Sequence, residues 1–189
     1  MNKTLKFGSL GGLKIMAKPS AFIGFALVWL LFSLIGRKWF KLSAGEAAAG
    51  GFLAALLHML SELWHNIGHA TAAKQTGYPM SGVCFVGPLA TSLYPPDEPP
   101  LPPETHIRRA LGGPIASGLL ALGAGLLALA MQWVGGIPLM VATLAFLDNL
   151  LVFTLGAFLP LNFSDGGTLL RYIKQTQRPT QWLTVKIDN

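Results

Sequence analysis

Cysteine is nearly absent from this sequence, acidic residues are few, and charged residues of both signs make up only 12% of it. A lone cysteine, Cys84, excludes an intramolecular disulfide and any multi-cysteine metal site, so its expected role is that of a small apolar filler. The shortage of charge excludes an ordinary soluble surface, since soluble domains carry about 25% charged residues. Also missing is a basic stripe interleaved with aromatic residues. The net charge of +6 comes from residues that flank apolar runs, which excludes nucleic acid as the partner. The glycine-rich stretch around Gly112 has neither a strand before it nor a P-loop lysine after it, so it does not cradle phosphate. No internal repeat and no second domain is evident, and residues 1–189 are expected to form a single membrane-embedded unit.

Apolar sequence is abundant, at 52% of 189 residues. It is concentrated in Ala21–Gly36, Gly50–Ala73, Ala110–Val134 and Pro138–Leu161. Each run is near the ~20 residues that carry a helix across a bilayer core. The runs are too long and too evenly apolar for barrel strands of ~10 alternating residues, so the fold class is all-α. Membrane helices are expected at about 20–41, 44–75, 108–134 and 137–161. The first run begins too late for a signal peptide and is followed by Arg37, Lys38 and Trp39 instead of a small-residue cleavage site, so it is expected to stay. Lys3, Lys6, Lys14, Lys18, Lys74, Arg108, Arg109, Arg171, Lys174, Arg178 and Lys186 fall on one side of such a bundle. Arg37, Lys38 and Lys41 fall on the other. The positive-inside rule then makes this a multi-pass cell-membrane protein with both termini in the cytoplasm.

Between the second and third helices, Gly77–Tyr94 mixes small, β-branched and aromatic residues with breaks at Gly82 and Gly87. This predicts a short hairpin or re-entrant segment. At membrane depth such backbone is tolerated only against protein or a wet cavity, so it is a candidate wall of a site. Pro95–Pro103 is proline-rich and should run as an extended, partly polyproline surface loop. On the third helix Gly113, Ser117, Ala121 and Gly125 recur every fourth residue, a stripe read as helix packing.

Three of the four histidines fall in LLHMLSELWHNIGHA, Leu56–Ala70. At about 100° per residue, His58, Glu62, His65 and His69 lie at roughly 0°, 40°, 340° and 20°, one narrow stripe. Ionisable groups in a bilayer cost about 3 kcal/mol or more each unless they face an interior, a partner or water, so the stripe marks a functional interior. His65 and His69, four residues apart, present two imidazoles to one ion, and a catalytic zinc needs a third His, Asp or Glu. Among the embedded acids, Asp148 lies about 25 Å along the helix from Asp165 at 1.5 Å per residue, towards the opposite side. Asp165 follows Pro160 at a depth matching His65 and His69, and Gly166 and Gly167 let the chain turn there. Asp165 also fits as an ordinary cap of the segment that follows.

The segments HNIGHA at His65–Ala70, LGGPIASGLLAL at Leu111–Leu122 and FLPLNFSDGG at Phe158–Gly167 occur in the order of three motifs of the site-2 protease family. GGLKIMAKPSAFIG likewise resembles that family's approach to its first helix. The sequence therefore resembles the intramembrane zinc metalloproteases of that family. The resemblance implies His65, His69 and Asp165 as zinc ligands and a membrane-spanning peptide as substrate. It departs at Asn66, where the family has a glutamate that takes a proton from the attacking water and passes it to the leaving amine. It departs again at Ala157, where the family has asparagine. Glu62 projects between the histidines and Asn66, one turn deeper. It either takes over as base or pairs with His58.

Three functions follow as expectations. One is an intramembrane zinc metalloprotease of minimal size, with no room for extra soluble domains, whose substrate choice rests on the helices, the Gly77–Tyr94 segment and the proline loop. Another is a pseudoprotease that binds metal and membrane segments without cutting them. The last is a metal or proton transporter, suggested by the stripe from His69 to His58, about 16 Å long.

Overall fold

A computed structural model describes residues 4–176. Lys3, Arg178 and Lys186, used above for orientation, lie outside the described residues. Among the described residues, four helices are long and apolar enough to cross a membrane, with a small sheet beside them. In chain order they are α1 (Ser20–Lys38), α2 (Ala44–Gln75), α3 (Pro103–Met131) and a span over Gly136–Phe158 that opens with α4 (Gly136–Leu147). A short helix, α5, covers Asp165–Thr176. The interior holds much of the polarity: His58, Glu62, His65, Asn66, His69, Arg109 and Asp148 are buried. Leu30, Leu119 and Leu126 face outward. Soluble folds arrange this the other way round, and the inversion suits a bilayer.

Local chemistry sets the helix bounds. α2 starts at a capping box in which Ser43 Oγ accepts from the Glu46 N–H at 3.3 Å and the Glu46 carboxylate accepts from the Ser43 N–H at 2.9 Å. α3 starts at Pro103, five residues before the expected 108, because Pro102 and Pro103 open it and its polar first turns escape a hydropathy reading. Glycine permits the close crossings. A Cβ on Gly68 would strike the Gly112 carbonyl, and one on Gly112 would strike that of Gly68, so α2 and α3 touch backbone to backbone there. Fully buried Met140 of α4 fills the hollow beside Gly36 and Gly50.

The fourth span, expected at about 137–161 with a break at Pro160, changes its pitch from Asp148 and ends at Phe158. After Leu147 the chain widens into a π-helical segment, Asp148–Leu155, and then a 3₁₀ turn, Gly156–Phe158. Asn149 marks the change. Its amide donates to the Ala145 carbonyl at 2.9 Å and to Ser61 Oγ of α2 at 2.8 Å, while Thr154 Oγ1 donates to the Asn149 carbonyl at 2.7 Å.

The expected hairpin is present as β3 (Gly82–Val86) and β4 (Leu89–Leu93). It joins an N-terminal hairpin, β1 (Leu5–Leu10) and β2 (Leu13–Ala17), through parallel pairing of β2 with β3. β1 and β2 were not anticipated. Their signal is Gly11-Gly12 between two short runs of alternating residues. At the β3–β4 turn Gly87 adopts a φ of +61° and packs on Gly24 of α1, where any Cβ would strike the Gly87 carbonyl. The hairpin thereby dips between helices and lays β4, the last strand of the sheet, against the polar face of α2.

Candidate metal centre

His65 and His69 of α2 and Asp165 at the start of α5 converge. Their Nε2 atoms are 3.0 Å apart. Asp165 Oδ2 lies 3.3 Å from His65 Nε2, and Oδ1 lies 3.4 Å from His69 Nε2. Ligands about 2.0–2.1 Å from a tetrahedral zinc sit roughly 3.3 Å from one another, so the donor set fits that ion. The outer ring nitrogens are anchored. His69 Nδ1 donates to the Arg109 carbonyl at 2.7 Å, which leaves its Nε2 lone pair turned inward, and His65 Nδ1 lies 3.0 Å from Ser117 Oγ.

The third helix contributes more than packing. A Cβ on Gly113 would overlap Nε2 of both histidines, and Ser117 orients His65, so two members of the small-residue stripe belong to the site. Ser164 Oγ accepts from the Gly167 N–H at 3.2 Å and caps α5, which leaves the Asp165 carboxylate to the histidines. Gly166 and Gly167 lie so close to the Phe158 and Leu161 carbonyls that no Cβ fits, which ties Asp165 to the end of the fourth span.

The other residues of the stripe have partners of their own. His58 does not pair with Glu62. Its Nδ1 lies 2.9 Å from Asp148 Oδ2 and its Nε2 2.8 Å from the Pro88 carbonyl, so Asp148 serves a histidine about two turns from His65. Both of these partners are oxygens, so the His58–Asp148 pair must carry a proton between its two groups. Glu62 is engaged by the strand, accepting from the Ala90 N–H. Asn66 donates to the Glu62 carbonyl at 2.9 Å and accepts from Ser92 Oγ at 2.9 Å. Glu62 and Asn66, one turn apart on α2, thus grip alternate residues of β4. Ala157 lines the same cavity with no polar group to offer.

That cavity, about 660 Å³, is bounded by the histidine stripe, β4 and the start of α5. Tyr94, Glu98, His106 and Arg109, which the sequence offers only as charges or loop, border it as well. Arg109 is buried and makes a two-pronged ion pair with Glu98, with Nη1 2.9 Å from Oε2. It also donates to the Tyr78 carbonyl and sits 4.3 Å from the centre of the Tyr94 ring. These hydrogen bonds from Arg109 hold the Glu98 carboxyl below its ordinary value. Burial pushes the Tyr94 phenol up to about 12, so it stays protonated. Opposite, His106 stacks on Tyr172 of α5 at 4.0 Å. The proline segment is thus strapped across the mouth, and Arg109 joins the strap through its side chain to His69 through its carbonyl. The only hint in the sequence is an arginine at the start of an apolar run.

No protein-family model matches the chain. Over 123 residues, 65% of this chain, it is 28% identical to a protein of Synechocystis sp. provisionally named as a zinc metalloprotease. The chain covers only 32% of that relative's length. Among solved structures, the site-2 protease from Methanocaldococcus jannaschii aligns over 94% of this chain and 74% of its own, with a TM-score of 0.61 at 17% identity. The chain has the fold of that site-2 protease and, in its motifs and their order, resembles the site-2 protease family.

Proposed function

We propose that this chain is an intramembrane zinc-metalloprotease-like protein of the cell membrane that acts on peptide bonds in membrane-spanning segments, with both termini in the cytoplasm. The observation that carries this reading is the convergence of His65, His69 and Asp165, from separate elements, at donor spacings of 3.0–3.4 Å beside a cavity. Zinc held there would supply Lewis-acid polarisation of a peptide carbonyl. The chain's own groups do the rest. Ser117 and the Arg109 carbonyl fix the imidazoles, β4 offers an extended wall for a peptide, and the strapped proline segment limits access of water from outside. Glu62, on the cavity wall, supplies the carboxylate that Asn66 lacks as proton carrier.

A second reading, a pseudoprotease that holds metal and membrane segments without cutting them, is favoured by Asn66. A carboxamide accepts no proton, and this one is occupied on both sides by the Glu62 carbonyl and the Ser92 hydroxyl. Transport draws less support, because His58 is tied between Asp148 and the β-hairpin and does not extend a path from His65.

Cleavage of a model membrane substrate by the purified natural chain, Asn66→Glu and Glu62→Ala separates these readings. Activity in the natural chain that Glu62→Ala abolishes assigns the base to Glu62. Activity only in Asn66→Glu establishes the pseudoprotease. Zinc flux into liposomes would overturn both in favour of transport.

A further inference from the structure

A second cavity, about 500 Å³, lies on the other flank of the α2–α3 crossing and shares no residue with the first. Its floor is Gly68, Ala72, Gly112 and Ala116, the small residues that let the two helices meet. Trp64, Ile115 and Leu119 border it and are exposed at 45%, 59% and 65%, so the groove opens to the outer, lipid-facing surface of two spans. At one end stand Arg108, Gln75 and Thr71, and at the other Trp64 and Leu119. From Gln75 to Trp64, and from Arg108 to Leu119, is eleven residues, or about 16 Å of helix. Half of a ~30 Å hydrocarbon core is about 15 Å. The groove is therefore apolar over the depth of one leaflet and cationic where that leaflet's phosphates lie.

We propose that this groove binds an anionic phospholipid, with its phosphate at Arg108 and Gln75 and an acyl chain along Ile67, Leu111, Ile115 and Leu119. Charge complementarity and the match in length point to a lipid. Among the described residues Arg108 forms no ion pair, so its charge is left for a ligand. A partner helix is the poorer occupant, because the glycines and alanines that would admit a backbone are already used by α2 and α3 against each other. The groove adjoins the Gly68–Gly112 contact, so a bound chain packs directly behind the residues that precede His69 and Gly113. The site stands whether or not the protein hydrolyses peptides or holds zinc.

The test uses the full chain in phosphatidylcholine vesicles containing increasing fractions of phosphatidylglycerol brominated along its acyl chains. The Trp64 signal is taken as the difference between the natural chain and Trp64→Phe. The expected result is saturable quenching of Trp64, several-fold stronger than with brominated phosphatidylcholine at the same fraction, and loss of that preference in Arg108→Gln, a change at an exposed side chain outside the core. Native mass spectrometry from mixed micelles provides a second readout, with phosphatidylglycerol retained by the natural chain and lost in Arg108→Gln. Equal quenching by the two lipids, or a preference unchanged in Arg108→Gln, overturns the proposal. So does quenching that disappears as the protein-to-lipid ratio rises, because a second copy would then occupy the groove.

Discussion

Gly113 lies where no side chain fits, because a Cβ there would occupy the space of both imidazole edges. Gly113→Ala should abolish zinc binding at low micromolar metal and destabilise the protein by the 1–3 kcal/mol typical of overpacking, measured as a fall in thermal midpoint. Asn66 makes the opposite kind of test. Asn66→Glu gives up the bond to the Glu62 carbonyl, worth about 1 kcal/mol, and supplies the missing proton acceptor. Cleavage of a membrane peptide should then rise by about 10²–10⁴, the usual contribution of a general base. At this scale the sequence showed the stripe and its likeness to a metal site, because helical spacing alone puts His65 and His69 together. It could not show that Ser117 and the Arg109 carbonyl anchor them, or that His58 belongs to Asp148. Those partners lie 40 to 90 positions away and are joined only by packing.

The proline segment between β4 and α3 is closed by the ion pair between Glu98 and Arg109. Because the Glu98 carboxyl is held below its ordinary value, the pair's contribution is complete above the ordinary carboxylate range and is lost as pH falls through the lowered value. A spin label at exposed Asp97→Cys, in a Cys84→Ser background, should be immobile near neutrality and loosen only once the pH has fallen below the ordinary carboxylate range. In Glu98→Gln it should be mobile throughout. A label that stays immobile in Glu98→Gln would show that prolines alone hold the strap. Among the elements, long apolar helices were legible because about twenty apolar residues have few alternatives in lipid. α2 runs from Ala44 to Gln75, where the Ser43 capping box opens it. The π-helical break was not legible, since it depends on Asn149 reaching Ser61 of another helix. The β2–β3 pairing escaped for the same reason, joining strands separated by two membrane helices.

The whole molecule puts its polar groups inside and its large apolar side chains outside, with the cavity mouth, the strap and α5 at one end of the bundle. If both termini are cytoplasmic, that mouth faces the cytoplasm. In the Cys84→Ser background, a cysteine at Asp97 should be labelled by an impermeant maleimide only from the cytoplasmic side, and one at Trp133, which is 87% exposed beyond α3, only from the opposite side. The reverse pattern would invert the orientation drawn from the basic residues. The proposed metal centre of His65, His69 and Asp165 is tested most directly by elemental analysis of the purified full chain after equilibration with zinc and removal of excess. Stoichiometric zinc is expected in the natural protein and in Asn66→Glu, with its loss in His65→Ala and in Asp165→Ala. A natural chain that emerges without zinc, or zinc content that survives both ligand substitutions, would contradict it.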